Sequence, residues 1–302
     1  MPARHPYALI EAPTNLGLKP PVTGKQPGVR RMPDALQAAG IMRALNLTES
    51  VRVEAPPYQP ARDRTTGVRN LSAIPEYSLQ LAKAVSTALD QGAFPVVIGG
   101  DCTVTLGTTL ALRQRGRYGI AFIDGHCDYL TPTSTGTGGA AGMDLALACG
   151  VGPEVLTNIN GLKPYIRNED VVILADHDIT EADPYPEPAF FEAHLTRMDL
   201  DMIREFGIQD VAAKALKYLQ KRAIDGYWIH VDVDVLSSYV MPAVDSPDPH
   251  GLTYNELIVL LRTLVRDERA VGIQFTIFDP DLDPDRRLAG ELVEAIGRAL
   301  GR

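Results

Sequence analysis

Three short runs carry residue types from which a hydrolytic metal centre can be built. They are Gly99-Gly100-Asp101-Cys102-Thr103, Asp124-Gly125-His126-Cys127-Asp128 and His230-Val231-Asp232-Val233-Asp234. In an extended chain, residues two apart point to the same side. Asp124, His126 and Asp128 are therefore expected to converge, with Gly125 and Cys127 facing away. Asp232 and Asp234 should do the same from a second strand. Four carboxylates and an imidazole gathered at one place repel each other unless cations lie between them. Carboxylate oxygen with some imidazole suits Mn²⁺ or a similar divalent ion. Two such ions about 3.5–4 Å apart can share a hydroxide that is nucleophilic at neutral pH. A lone Asp-x-Asp is more often a turn or a solvated strand end. What favours metal is both runs together, each behind an apolar strand. Cys127 is expected to be a small buried hydrophobe off the site.

The elements that must position these runs alternate along the chain. Pro95–Gly99, Ile120–Ile123, Val171–Leu174, Tyr227–Val231 and Val271–Phe278 read as buried strands. Pro75–Gln91 reads as a helix with Leu79, Ala82, Val85 and Leu89 near helical spacing. Leu257, Leu260, Leu261, Leu264 and Val265 form another helical stripe, opened by a capping-box pair, Thr253 and Glu256. Leu288, Leu292, Val293, Ile296 and Leu300 mark a terminal helix. The stretch Asp183–Pro188, with three prolines, reads as an irregular surface loop. Strand–helix alternation implies a mostly parallel sheet covered on both faces. Ligand sites of such sheets lie beyond the carboxyl ends of the strands, where all three runs fall.

Composition narrows the function. The 302 residues carry no repeat or low-complexity linker and fit one domain, 1–302. A net charge of −9 argues against a nucleic-acid partner, which needs a basic face. No run approaches the ~20 apolar residues that span a bilayer, and the start does not read as a secretory signal. Three cysteines do not suggest a disulfide framework, so a reducing cytoplasm is the expected setting.

The motifs resemble the ureohydrolase signatures (the arginase, agmatinase and formiminoglutamase family): Gly-Gly-Asp-His-Ser, Asp-Ala-His-x-Asp, and Asp-x-Asp before a proline-rich loop. The likeness extends to Met241-Pro242-Ala243, Gly251-Leu252-Thr253 and Asp279-Pro280, and so covers most of the chain from about Val96. It implies a three-layer α/β/α sandwich with a mostly parallel central sheet. It implies two divalent ions, Mn²⁺ first, bridged by Asp124 and Asp232. Asp128 and position 102 would complete the first metal site, His126 and Asp234 the second. Asp128 would also carry the proton to the leaving amine as the catalytic acid–base. The implied reaction is hydrolysis of a guanidino or amidino C–N bond in a small molecule by a homo-oligomer.

The chain departs from the family's pattern around the substrate. Position 102 is Cys where the family usually has His; a thiolate can ligate, and shifts metal preference towards Zn²⁺ or Fe²⁺. Position 277 is Ile where guanidinium-binding members usually have Glu, and a buried guanidinium without a carboxylate partner is costly. Asp279, two residues on, is a candidate substitute contact, as are Asp178 and Glu181 after the Val171 strand. Ala141-Gly142 stands where arginases have His-Gly, and Ser237-Ser238 replaces an Asp-Pro. Changes at the substrate end beside a retained metal core suggest a substrate other than that of an ordinary arginase or agmatinase. Two other readings compete. An amide hydrolase of the deacetylase kind suits Ile277, but deacetylases use one metal and His-His dyads, and no His-His pair occurs here. A non-catalytic or regulatory protein on this fold suits Cys102, Ala141 and Ile277, and is disfavoured by the intact aspartates. Metal content and urea release separate the three.

Overall fold

A computed structural model describes residues 5–179 and 187–301. Eight strands form its frame: β1 (Tyr7–Ala12), β2 (Ser50–Arg52), β3 (Phe94–Gly99), β4 (Tyr118–Ile123), β5 (Val171–Leu174), β6 (Thr196–Met198), β7 (Gly226–Asp232) and β8 (Ala270–Thr276). They make one sheet in the order β2-β1-β3-β8-β7-β4-β5-β6. Every pairing is parallel. All carboxyl ends therefore lie along one edge. The four central strands are those that lead into the chemical motifs and into Ile277. This adjacency brings residues more than a hundred positions apart to one spot.

The strands are buried on both faces, and their side chains alternate between two apolar layers. Val96, Ile98, Ala121, Ile123, Ile229 and Val231 enter one layer. It is closed by the helices Ile208–Lys221, Tyr254–Val265 and Arg287–Leu300. Val97, Ile120, Phe122 and Trp228 enter the other, closed by the helices Ala73–Asp90 and Val104–Arg113. The result is the three-layer α/β/α sandwich. No helix among the described residues is long and apolar enough to cross a membrane.

The strongly patterned segments appear where the sequence places them. The Thr253–Glu256 capping box opens the Tyr254–Val265 helix with both reciprocal hydrogen bonds. Three strands escape the pattern. β2 and β6 have three residues each and lie at the two sheet edges. β1 carries Glu11, whose buried carboxylate is met by Ser50, Gln37 and Arg52. Three expectations need correction. Leu79 is 38% exposed; the Ala73–Asp90 helix instead buries Ile74, Tyr77, Leu81, Ala82 and Val85. β8 ends at Thr276 and not at Phe278, because Ile277 takes φ +76°. Of the Asp183–Pro188 loop, residues 183–186 lie outside the described residues, and Pro188 opens a short helix, Pro188–Glu192, capped by Glu187.

Candidate metal centre

Each motif lies at the carboxyl end of a central strand. Asp124 follows β4, and its Oδ1 accepts the backbone N–H of His126 at 2.8 Å. Asp232 closes β7, and its Oδ1 accepts the N–H of Asp234 at 2.8 Å. The aspartates therefore converge through tight turns and not through extended backbone. Beyond the ladder the next N–H groups have lost their strand partners, and an Asp side chain two residues back supplies the acceptor. Asp128 takes φ +44°, a left-handed value that Asp tolerates better than most residues. That turn lets Asp128 reach the cleft while Cys127 goes to the rear. There the Cys127 thiol lies fully buried, 3.5 Å from Asp176 Oδ2.

The first motif is set by Gly100, where an added Cβ would stand 1.7 Å from the carbonyl oxygen of Thr14. Only glycine permits this approach. Asp101 is turned inward to Thr14 and Thr103, which it holds by hydrogen bonds. Cys102 faces the cleft, with Sγ 2.8 Å from Asp232 Oδ2 and 3.2 Å from Thr276 Oγ1.

The ligand-type atoms fall into two overlapping groups, each within 4.8 Å: Asp124, His126 and Asp234, and Cys102, Asp124 and His230. Asp124 belongs to both. His126 Nδ1 is 3.1 Å from Asp234 Oδ2 and 3.6 Å from Asp124 Oδ1. Asp124 is fully buried, and its Oδ2 has no hydrogen-bond partner. Burial and the charge of Asp234 push the Asp124 carboxyl up to about 8. Burial, and then neighbouring carboxylates, also raise Asp128 and Asp232 well above the ordinary range. Burial would raise Asp234 too, but the His126 charge and hydrogen bonds hold it low. His126 is raised in turn, chiefly by Asp234. Burial and mutual repulsion thus disfavour the charged forms of Asp124, Asp128 and Asp232, a penalty that bound cations would relieve. A fully buried aspartate that belongs to two ligand groups, with one oxygen orphaned, fits a pair of divalent ions.

A third group, Cys127, Asp176 and Asp178, lies behind the cleft. Arg197 pairs with Asp176, so a fixed cation already serves that cluster. Asp178 accepts the N–H of Cys127 at 3.2 Å and does not line the cleft. Asp279 also stands outside it, with Oδ2 on the N–H of Gly28 and Oδ1 on that of Asp281. Both candidate substrate contacts are therefore turned to backbone groups, as turn-forming acids commonly are. Glu181 lies outside the described residues.

The cleft itself has a volume of about 200 Å³. Its wall includes Cys102, His126, Asp128, Asp232 and Asp234, with Ala141 and Ile277 beside them. Ile277 is buried, and its N–H donates to the Gly100 carbonyl at 2.7 Å. A β-branched residue at positive φ is a strained choice, and such strain gathers at functional sites. Among the described residues, Asp245 is the one further acid on the wall, with Lys19 near it. Sequence reasoning missed it; the only signal was an acid in the proline-rich loop after the third motif. His230 was also missed as a participant. It stands on the same face of β7 as Asp232, two residues earlier, and burial pushes its imidazole down to about 3.

Comparison with known proteins agrees with this arrangement. Residues 6–299 match the model of the arginase family. The arginase of Bacillus caldovelox is 29% identical over 304 residues, covering 98% of each chain. The solved structure of the arginase from Bacillus caldovelox superposes with a TM-score of 0.88 at 26% identity, covering 99% of both chains. Proclavaminate amidino hydrolase from Streptomyces clavuligerus shares the fold, with a TM-score of 0.72 at 20% identity over 99% of this chain and 91% of that one. With its parallel sheet, the three motifs at one sheet edge and a family match along nearly its whole length, this chain belongs to the arginase family.

Proposed function

We propose that this chain is a dinuclear metal-dependent hydrolase of a C–N bond in a small guanidino- or amidino-type compound, a linear amidine. The observation that carries the proposal is the fully buried Asp124 beside a cleft wall that gathers Cys102, His126, Asp128, Asp232 and Asp234. Asp124 and Asp232 would be shared by the two ions, Cys102 and Asp128 would complete one site, and His126 and Asp234 the other. When bound, the ions supply a water acidified towards neutral pKa and a Lewis acid for the substrate. Mn²⁺ suits the carboxylate-rich set, and the Cys102 sulfur draws preference towards Zn²⁺ or Fe²⁺. Asp128, on the cleft wall, takes the proton of the attacking water and returns it to the leaving nitrogen. A cleft of about 200 Å³ fits a small molecule.

The finer substrate reading is that arginine and agmatine are poor substrates. The buried apolar Ile277 supports it, since a desolvated guanidinium meets no carboxylate there. A less basic group, such as an N-hydroxyguanidine, a ureido group or an amide, avoids most of that cost. The same residue is what favours an amide-hydrolase reading. Elemental analysis after loading with Mn²⁺ or Zn²⁺, followed by a guanidino-compound screen for urea, tests the proposal. Two ions per chain are expected, with N-hydroxyurea released from an N-hydroxyguanidine and little urea from arginine or agmatine. No bound metal at saturating ion would overturn it, and amide cleavage without urea would move the assignment to the second reading.

A further inference from the structure

His230 is a fully buried imidazole that the chemistry above does not use. Its Nε2 faces Asp124 Oδ2 at 3.5 Å, and neither atom has a hydrogen-bond partner. Its distance from Cys102 and Asp124 would equally suit a metal ligand. The two roles are distinguished by where the imidazole carries its proton. A ligand needs a lone pair on Nε2, whereas a hydrogen-bond donor needs a proton there.

The proton's place follows from a relay of donors and acceptors. The indole N–H of Trp228 can only donate, and it donates to Gln274 Oε1 at 2.9 Å. The Thr108 hydroxyl donates to the same oxygen at 2.7 Å. These contacts fix the orientation of the Gln274 amide, so its NH₂ group points the other way. It donates to Thr105 Oγ1 at 2.8 Å and stands 2.6 Å from His230 Nδ1. Nδ1 must therefore accept. A neutral imidazole with an accepting Nδ1 carries its proton on Nε2, the atom that faces Asp124. Thr105 Oγ1, 3.3 Å from Nδ1, is compatible because a hydroxyl can play either part. Phe122 stacks on the ring at 4.3 Å and 10°, which holds the plane of the imidazole.

We propose that His230 is a positioning residue for Asp124: its Nε2–H faces the unpartnered Asp124 Oδ2 and holds that carboxylate by charge attraction, and the Trp228–Gln274 relay sets the tautomer. The proposal rests on the reading that Asp124 holds the metal ions. Its consequence is that the bridging carboxylate is oriented from below by a donor that is not itself a ligand. Partners behind the ligands fix ligand orientation, and losing one typically weakens metal binding about 10- to 100-fold.

The test has a spectroscopic arm and a binding arm. Long-range ¹H–¹⁵N correlation of the imidazoles in the unmodified protein, without metal and with Zn²⁺, should show His230 protonated on Nε2 in both. Titration with Zn²⁺ and with Mn²⁺ should show affinity about 10- to 100-fold weaker in His230→Phe, with unchanged saturating stoichiometry. Gln274→Met should mix the tautomers and weaken binding in the same direction. A proton on Nδ1, or loss of the Nε2 proton on Zn²⁺ loading, would overturn the proposal, the latter by making His230 a ligand. Unchanged affinity in a folded His230→Phe chain would overturn it as well. If that variant does not fold, the tautomer measurement still decides. Asp124→Ala separates the two layers. Full metal binding by that variant defeats the underlying reading of the site, whereas its loss beside a normal His230→Phe defeats only the role of His230.

Discussion

Replacing Ile277 by Glu should raise turnover of arginine. The side chain at position 277 is buried against the cleft that Asp128, Asp232 and Asp234 also line. A buried guanidinium deprived of its carboxylate partner typically costs about 3–5 kcal/mol. At about 1.36 kcal/mol per tenfold in rate, that is on the order of 10²–10⁴ in kcat/KM. The new carboxylate also faces the aspartates, whose repulsion takes back part of the gain, so about 10² is expected. The backbone should accept the change: Ile277 sits at φ +76°, and removing its β-branch relieves strain. Ile277→Gln has the same shape without the charge, so the ratio of the Glu to the Gln variant isolates the charge. The assay is urea release from arginine and agmatine by Mn²⁺-loaded protein. The reasoning fails if the Glu-to-Gln ratio is near one. It fails equally if the unmodified protein turns over arginine at about 10⁴ M⁻¹s⁻¹ or more. In the latter case another acid, with Asp245 the first candidate, pairs the guanidinium.

Elemental analysis of the loaded chain should give two ions, and Asp232→Ala should fail to retain that number. Asp128→Asn should lose all measurable hydrolysis, whereas Cys127→Ala, altered behind the cleft, should keep activity within a few-fold. A folded but inactive Cys127→Ala protein would contradict the geometry of the second motif. Glu11→Gln should cost about 1–2 kcal/mol at neutral pH by denaturant unfolding, since it removes hydrogen bonds to a buried charge. Burial alone would raise the Glu11 carboxyl, but Ser50, Gln37 and Arg52 hold it below its ordinary value of 4.5. The stability it contributes is therefore present above that value and lost as pH falls through the lower folded value. A gap between the two proteins that stays constant into acid would refute this assignment. Thr253→Ala, which removes the hydroxyl half of the capping box and leaves the Thr253 backbone N–H on Glu256, should lower stability by about 1 kcal/mol in the same measurement.

The sequence by itself determined the parallel sandwich and the metal-type cluster. Apolar runs such as Val96–Ile98 and Tyr227–Val231 are unambiguous because a strand buried on both faces must be apolar throughout. That Asp124, His126, Asp128, Asp232 and Asp234 meet at one sheet edge was legible because each run lies at the end of such a strand. Short-range signals failed where stability came from distant partners. β2 and β6 exist only by pairing at the sheet edges, and β1 tolerates Glu11 only because Arg52, Ser50 and Gln37 surround it. Only the tertiary structure decided the contacts across the site. It tied Asp178 and Asp279 to backbone N–H groups away from the cleft, placed Asp245 on its wall, and set the turns that gather the aspartates. It also joined His230 to Gln274 and Trp228, residues whose hydrogen-bonding roles no spacing rule encodes. The physical reason is common to all of these. A side chain's periodicity fixes the face it occupies, but which buried donor meets which acceptor depends on strand order, and strand order is a property of the whole chain.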